Sequence, residues 1–404
     1  MTSDPRPRVE RIRAAAGVVL LAFVVIVGVS YSTRTQPTMS VLDGRTLEGF
    51  PAPSRSTVAS GSWMAAVESW TDDRILGRQA WLTLHATIAA DALRMQEINN
   101  IAIDRQSGLL LEKPGALPAN PKLGEYARSL GDAARAAGAV PLFVYVPRKE
   151  EAFADLVPPL WNNTYLAQRG EVKRQLAEGG AFLDLTSLLS RPSTRLSDYY
   201  LTDHHWSPTG ALAGLAAIDA KLRTLGVRLG PSPEYVDQGG FPGFLGSYAR
   251  RITAAGTPTP DPFVIPSPSV WAGQLCPSTG RCTDPVFPSI ARSKELYANR
   301  YAAFLGGDRA IQRLENKDPR ARGTIVILKD SYGLPLVTYL AQQAKTVIAI
   351  DERKYDGIEL RALFLKERPD AVLVVHNIRT LLGDSTFSPR AWVDVQGGIA
   401  EHAG

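Results

Sequence analysis

Five short apolar runs, separated by stretches of helical spacing, constrain the fold of this chain more than any other feature. They are Pro141–Val146 (PLFVYV), Ala181–Leu185 (AFLDL), Thr324–Leu328 (TIVIL), Thr346–Ile350 (TVIAI) and Ala371–Val375 (AVLVV). Each is too short for a helix, and all but Ala181–Leu185 carry β-branched residues. None alternates polar with apolar, which is how a strand buried on both faces reads. Helical stretches such as 123–137 alternate with them, so the pattern predicts an α/β domain: a parallel sheet flanked by helices. In open sheets of this kind ligands bind beyond the carboxyl ends of the strands. The residues there are Arg148 and Lys149, Asp184, then Lys329, Asp330 and Ser331, then Asp351, Glu352 and Arg353, and last His376 and Asn377.

The chain has 404 residues, room for two or three domains. We divide it into an arginine-rich arm (1–13), an apolar run (14–31), a polar stalk (32–62), a helical segment (63–120), the α/β domain (121–390) and a tail (391–404). In the helical segment Trp70, Leu76, Trp81, Leu84 and Ile88 are spaced to line one or two helices, with His85 on a helix surface. A Pro/Gly/Ser-rich insert at 229–291 leaves the sheet pattern and holds both cysteines, Cys276 and Cys282.

Arg6, Arg8, Arg11 and Arg13 precede the uncharged run Ala14–Tyr31. That run is long enough for a transmembrane helix, and the arginines predict a cytoplasmic N-terminus with the bulk of the chain outside. A cleaved signal peptide, with Gly28, Ser30 and Ser32 as small residues, is the alternative. Either way Cys276 and Cys282 meet an oxidising compartment, which favours a disulfide over two idle thiols. Net charge is only +5, from 45 basic and 40 acidic residues, and no basic tract carries interleaved aromatics, so a nucleic-acid partner is not expected.

The densest chemistry lies in Thr202-Asp203-His204-His205-Trp206-Ser207-Pro208. Ser207 followed by Pro208 is a helix start, which puts the acid and both imidazoles on the loop before it. A carboxylate near an imidazole can accept its ring N–H and fix the tautomer. Three readings stay open here: an acid–base pair, a surface loop beside a buried Trp206, or a metal site using Asp203, one histidine and a distant partner such as His376. The second motif, Ile327-Leu328-Lys329-Asp330-Ser331-Tyr332-Gly333, runs a strand straight into a turn before a helix. Asp330 or Ser331 there is either a plain helix cap or, with a base at hand, an exposed nucleophile.

TDHHWSPTGA, with VPRKEEAF upstream, FLGSYARR in the insert and YAAFLGGDRA, IVILKDSYGLPLVTYLAQQ and IDERKYDG downstream, resembles the DHHW protein family over roughly residues 63–380. That family is related to the alginate O-acetylation proteins, with an SGNH/GDSL-hydrolase-like domain. The resemblance implies a triad of nucleophile Ser331, base His205 and orienting Asp203, with Arg353 near the site and Asn377 as an oxyanion donor. It selects His205 over His204, the alternative base. Lys329 stands where the family has glycine, and Asp203 precedes His205 by two positions, as in the alginate-type subgroup.

The implied activity is that of an extracytoplasmic, membrane-anchored O-acetyltransferase or acetylesterase acting on a polysaccharide. The N–H groups of Ser331 and Tyr332 would hold the oxyanion, and Arg148, Lys149 and Arg353 would form a cationic rim for an anionic glycan. No cofactor or metal is expected. A transferase would need an acyl donor, such as a multi-pass membrane acyltransferase. The alternative is a non-catalytic glycan-binding or assembly component, for which Lys329 is the motive. Trp161, Tyr199, Tyr200 and Trp271 are read as core, with sugar stacking as the other use.

Overall fold

The computed structural model describes residues 45–383, less 76, 116, 159–160, 162–163, 258 and 355–358, together with 17–19, 22, 38–40 and 42. The arm, nearly all of the apolar run 14–31 and the tail lie outside the described residues. Among the described residues no helix is long and apolar enough to cross a membrane.

The chain divides into two units, Met1–Ile88 and Ala89–Gly404. In the first, helices Ser62–Arg74 and Arg78–Thr87 occur where apolar spacing is helical. Trp81, Leu84 and Ile88 are nonetheless 63%, 50% and 47% exposed, so that stripe is not a packed face.

In the second unit, residues expected to continue the helical segment form three short antiparallel strands instead: Glu97–Ile98, Ile101–Ile103 and Leu110–Glu112. The reason is local. Asn99 and Asn100 both take positive φ (50° and 62°), which makes a two-residue hairpin turn of the kind that suits strand twist. Ile98, Ile101, Ile103 and Leu110 then pack on Leu245 and on Tyr248 and Ile252 of the short helix that follows it, Ser247–Ile252.

The main sheet has seven strands: β1 Val140–Tyr145, β2 Ala181–Asp184, β3 Gly273–Leu275, β4 Ile311–Asn316, β5 Thr324–Lys329, β6 Thr346–Ile350 and β7 Ala371–His376. Their spatial order is β3-β4-β6-β5-β7-β1-β2. The five strands from β6 to β2 are parallel, while β3 and β4 add antiparallel to the β6 edge. The sheet is therefore mixed, not parallel throughout. β4 escapes a search for unbroken apolar runs because it alternates outward Ile311 and Arg313 with inward Gln312 and Leu314. β3 comes out of the insert, and just past it a disulfide joins Cys276 to Cys282.

The parity of the strands shows both faces covered. Ile325 and Ile327 of β5 pack with Leu215, Ile218 and Leu222 of α3 (Pro208–Thr224) and Leu336 and Val337 of α4 (Gly333–Leu340). Val326 and Leu328 face Leu123, Tyr126 and Leu130 of α1 (Leu123–Ala136), Val172 and Leu176 of α2 (Thr164–Ala177) and Phe364 of α5 (Leu360–Glu367). Burying each such side chain contributes roughly 1.5–3 kcal/mol. Trp161, Tyr199 and Tyr200 are buried in the first of these clusters and Trp271 packs against it, which is the core use.

Candidate active site

β5 delivers Lys329, and the next three residues turn the chain into α4, so Ser331 stands at the carboxyl end of a central strand. Buried Asp330 fixes that turn. Its Oδ1 accepts the Tyr332 N–H at 2.9 Å. Its Oδ2 accepts Asn377 N at 3.0 Å, Asn377 Nδ2 at 2.7 Å and Thr380 Oγ1 at 2.9 Å, all from the segment following β7. Behind it, His376 Nε2 meets Glu352 Oε2 at 2.9 Å, and Glu352 Oε1 accepts the Tyr126 hydroxyl at 2.6 Å. Burial opposes a charge on His376, but Asp330 and Glu352 outweigh it and raise the imidazole to about 9. Burial likewise opposes the Asp330 charge, and His376 more than offsets it, holding the carboxyl well below its usual range.

The other motif arrives from the start of α3. Ser207 caps the helix by accepting Gly210 N at 3.2 Å, with Pro208 at its first position. Fully buried Trp206 joins the two motifs, its Nε1 donating to Tyr332 O at 2.8 Å. On the loop before it, Asp203 Oδ1 lies 2.6 Å from His205 Nδ1, and His205 Nε2 lies 2.8 Å from Ser331 Oγ. Asp203 Oδ2 accepts Ser247 N at 2.8 Å. Burial would raise the Asp203 carboxyl, but the two imidazoles and these hydrogen bonds hold it well below its usual range. The His205 ring stacks on Tyr301, with centroids 3.9 Å apart and planes at 10°. His204 is turned elsewhere: its Nδ1 is 2.6 Å from Ser247 Oγ. It is His205, not the alternative base His204, that faces Ser331.

Several expected roles do not match their surroundings. The Tyr332 N–H is held by Asp330, and the Asn377 amide reaches Asp330 and Thr380, so two of the three expected oxyanion donors brace the turn. The N–H of Ser331 itself has no acceptor among the described residues. Arg148 is no rim cation: it is buried and bonded to Glu112 Oε2 (3.0 Å) and the Tyr248 hydroxyl (2.7 Å), with Glu150 Oε2 3.3 Å away. Lys149 is also buried, and its Nζ donates to the main-chain oxygens of Leu201 (2.6 Å) and Asp203 (3.0 Å). Burial pushes this amine down to about 8, against the pull of Asp261, Glu150 and Asp203. Lys149 thus anchors the loop that carries the acid.

Arg353 is committed to Asp351 Oδ2 (2.7 Å) and Asp308 Oδ2 (3.0 Å). The lysine that replaces glycine joins the same cluster, with Lys329 Nζ 2.6 Å from Asp308 Oδ1. Its stem crosses Gly333, where an added Cβ would stand 2.6 Å from Lys329 Cβ. The lysine at 329 thus requires a glycine at 333.

Asp203, His204 and His205 also place one donor atom each within 4.8 Å of one another, a spacing a metal ion could use. Asp203 Oδ1 and three of the four ring nitrogens already have hydrogen-bond partners, and His376, the expected distant ligand, is bound to Glu352. The donor set fits a proton relay better than a metal centre. Four supporting residues escaped sequence reasoning: Ser247, Tyr301, Asp308 and Asp261. Asp261 accepts Leu201 N at 2.6 Å and Thr202 N at 2.8 Å. Ser247 and Asp261 come from the insert, whose Pro/Gly-rich composition carries no period to interpret.

A serine, imidazole and carboxylate in series, at the carboxyl edge of a parallel sheet, can be compared with known families. Residues 110–262 match the family model for the SGNH hydrolase-like domain of the acetyltransferase AlgX. Over those residues the chain is similar to an SGNH hydrolase-like domain. The matched stretch includes the Asp203–Trp206 loop and Ser247 but ends before Ser331. Among solved structures, Bacillus cereus PatB1 is similar at 18% identity and TM-score 0.59, over 71% of this chain and 98% of that one. A PatB1 structure with a sulfonyl adduct is similar at 17% and 0.58, over 71% and 97%. A DHHW family protein from Eubacterium siraeum is similar at 17% and 0.54, over 76% and 97%. At these identities the likeness is one of fold. No curated protein matches the chain by sequence.

Proposed function

We propose that this protein is a serine acyl-transfer enzyme that moves acetyl groups onto or off hydroxyls of a polysaccharide outside the cytoplasm. One observation carries the reading: the hydrogen-bonded series from Asp203 through His205 to Ser331, with each contact at 2.6–2.8 Å. A lone serine is a poor nucleophile; one that can hand its proton to an oriented imidazole is a good one. Ser331 Oγ attacks the acyl carbonyl carbon while His205 Nε2 takes the hydroxyl proton, and Asp203 holds the ring by Nδ1–H and stabilises the imidazolium. The free N–H of Ser331 is the donor offered to the tetrahedral oxyanion. His205 returns its proton to the leaving alkoxide and an acyl-enzyme remains. An acceptor hydroxyl then gives its proton to His205 and attacks the ester carbon, and His205 returns that proton to Ser331 Oγ as it leaves. A sugar hydroxyl makes this a transferase and water makes it an esterase.

Support for acetyl as the transferred group comes from the acetyltransferase named in the matching family model, and the polysaccharide acceptor rests on the resemblance to the alginate O-acetylation proteins. Export is supported by the arginine-flanked run 14–31 and by the Cys276–Cys282 disulfide. The acyl donor in this reading is a multi-pass membrane acyltransferase. Lys329, the motive for a non-catalytic binding protein, has its charge spent on Asp308 and Asp351. The test is nitrophenolate release from 4-nitrophenyl acetate by the full chain in detergent. Ser331→Ala and His205→Ala are expected at background, and Asp203→Asn slowed by about 10²–10⁴-fold. Wild-type release no higher than that of the variants would return the chain to the glycan-binding reading.

A further inference from the structure

Beside the series that faces Ser331 lies a second, differently built histidine. The His204 and His205 rings are 3.7 Å apart between centroids, at 38°. His204 is pinned on every side but one. Its Nδ1 is 2.6 Å from Ser247 Oγ, its main-chain N donates to the same oxygen at 3.3 Å, and its main-chain O accepts the Tyr332 hydroxyl. Asp203 Oδ1 is 3.5 Å from its Nδ1. Yet its side chain is 33% exposed where that of His205 is 8%. Its Nε2 has no protein partner among the described residues. An imidazole held this firmly, with one polar atom left open beside the base, is arranged for a ligand and not for packing.

We infer that His204 Nε2 binds the hydroxyl next to the one being acylated, so that the site selects a vicinal diol of a sugar over water. The inference rests on the acyl-transfer reading above. In the second half-reaction one hydroxyl of the diol gives its proton to His205 and forms the new ester bond as the Ser331 ester bond breaks, and His205 passes that proton to the departing Ser331 Oγ. Its neighbour hydrogen-bonds to His204 at the adjacent ring. A diol offers a separate oxygen to each imidazole, whereas a water must use its one oxygen both to attack and to engage His204, so His204 lowers the barrier more for the sugar. That is differential binding of one acceptor's transition state.

The readout is a partition ratio, acetyl transferred to acetyl hydrolysed, which does not depend on how fast the acyl-enzyme forms. The full chain would be given 4-nitrophenyl acetate with ethane-1,2-diol or, at equal concentration, propane-1,3-diol, whose hydroxyls are one carbon further apart. The wild type is expected to favour transfer to the vicinal diol. His204→Phe should lower that ratio by about tenfold, the worth of one hydrogen bond, and His204→Gln, which keeps a side-chain amide, should restore part of it. If His204→Phe does not fold, Ser247→Ala serves. It keeps the N–H that holds Asp203, frees the His204 ring and should lower the ratio severalfold. Equal ratios in wild type and variants, with acetyl still found on Ser331, would overturn the role of His204 and leave the acyl-transfer reading standing. No acetyl on wild-type Ser331 would overturn both.

Discussion

Gly246 offers the sharpest probe of whether the position of Asp203 matters. Its backbone angles, φ −77° and ψ −168°, are open to any residue, so alanine brings no backbone strain there. What it brings is one methyl group, whose carbon would stand 2.3 Å from Asp203 Cβ, 2.5 Å from its Cα and 2.6 Å from its Oδ2. Carbon atoms settle at ~3.5–4.0 Å, so Asp203 or the short helix must retreat by about 1 Å. Asp203 cannot retreat freely, because its carboxylate is held by Ser247 N at 2.8 Å and His205 N at 3.0 Å. A misplacement of about 1 Å in a catalytic group costs on the order of 10²-fold in rate, and overpacking of this kind costs about 1–3 kcal/mol of stability. The assay is kcat/KM for 4-nitrophenyl acetate beside thermal unfolding, with Gly239→Ala as the control, since nothing lies within 4 Å of that position. Gly246→Ala should lose about a hundredfold in rate while remaining folded. If it stays within about threefold of wild type, the argument that Asp203 must sit where it does is wrong.

Asp330→Asn should destabilise the fold by about 3–5 kcal/mol in urea unfolding, because four donors and the His376 charge lose their carboxylate. A loss below ~1 kcal/mol would mean the turn is held by other means. His376 should give a pH dependence of its own. Its imidazole is raised from 6.5 to about 9, so its contribution is full below pH 6.5 and is lost as the pH rises through about 9. That is worth about 3 kcal/mol. Between pH 6 and 10 the wild type should therefore lose about that much more unfolding free energy than His376→Gln. Lys149, lowered to about 8, works in the opposite sense over pH 8–10.5 but is common to both proteins and cancels in the difference. Parallel curves would remove His376 as their source.

What could be read in the chain follows from how far each interaction reaches. Four of the five parallel strands are visible because burial on both faces makes them continuously apolar, as in Ile325–Leu328, while half-buried β2 shows only as a short apolar run ending in Asp184. The two antiparallel strands are not: β4 alternates, and the three residues of β3 sit in a segment with no period. Asp203, His205 and Ser331 stood out because each lies in a compact local motif. The cations misled for the opposite reason. Arg148 and Lys149 follow a strand and read as rim charge, but Arg148 meets Tyr248 100 positions away and Lys149 meets Leu201 52 positions away. Nothing local announces such pairings. Ser247, Asp261, Tyr301 and Asp308 were hidden likewise, since each gains its role only when the insert and the following loop close over the end of the sheet.

The most direct test of the central claim is the intact mass of the full chain, quenched soon after mixing with 4-nitrophenyl acetate and mapped by peptide. Acyl transfer through Ser331 predicts one acetyl group on the peptide carrying Ser331, absent from Ser331→Ala and much reduced in His205→Ala. An unmodified wild-type chain, or an acetyl group that persists in Ser331→Ala, would contradict it.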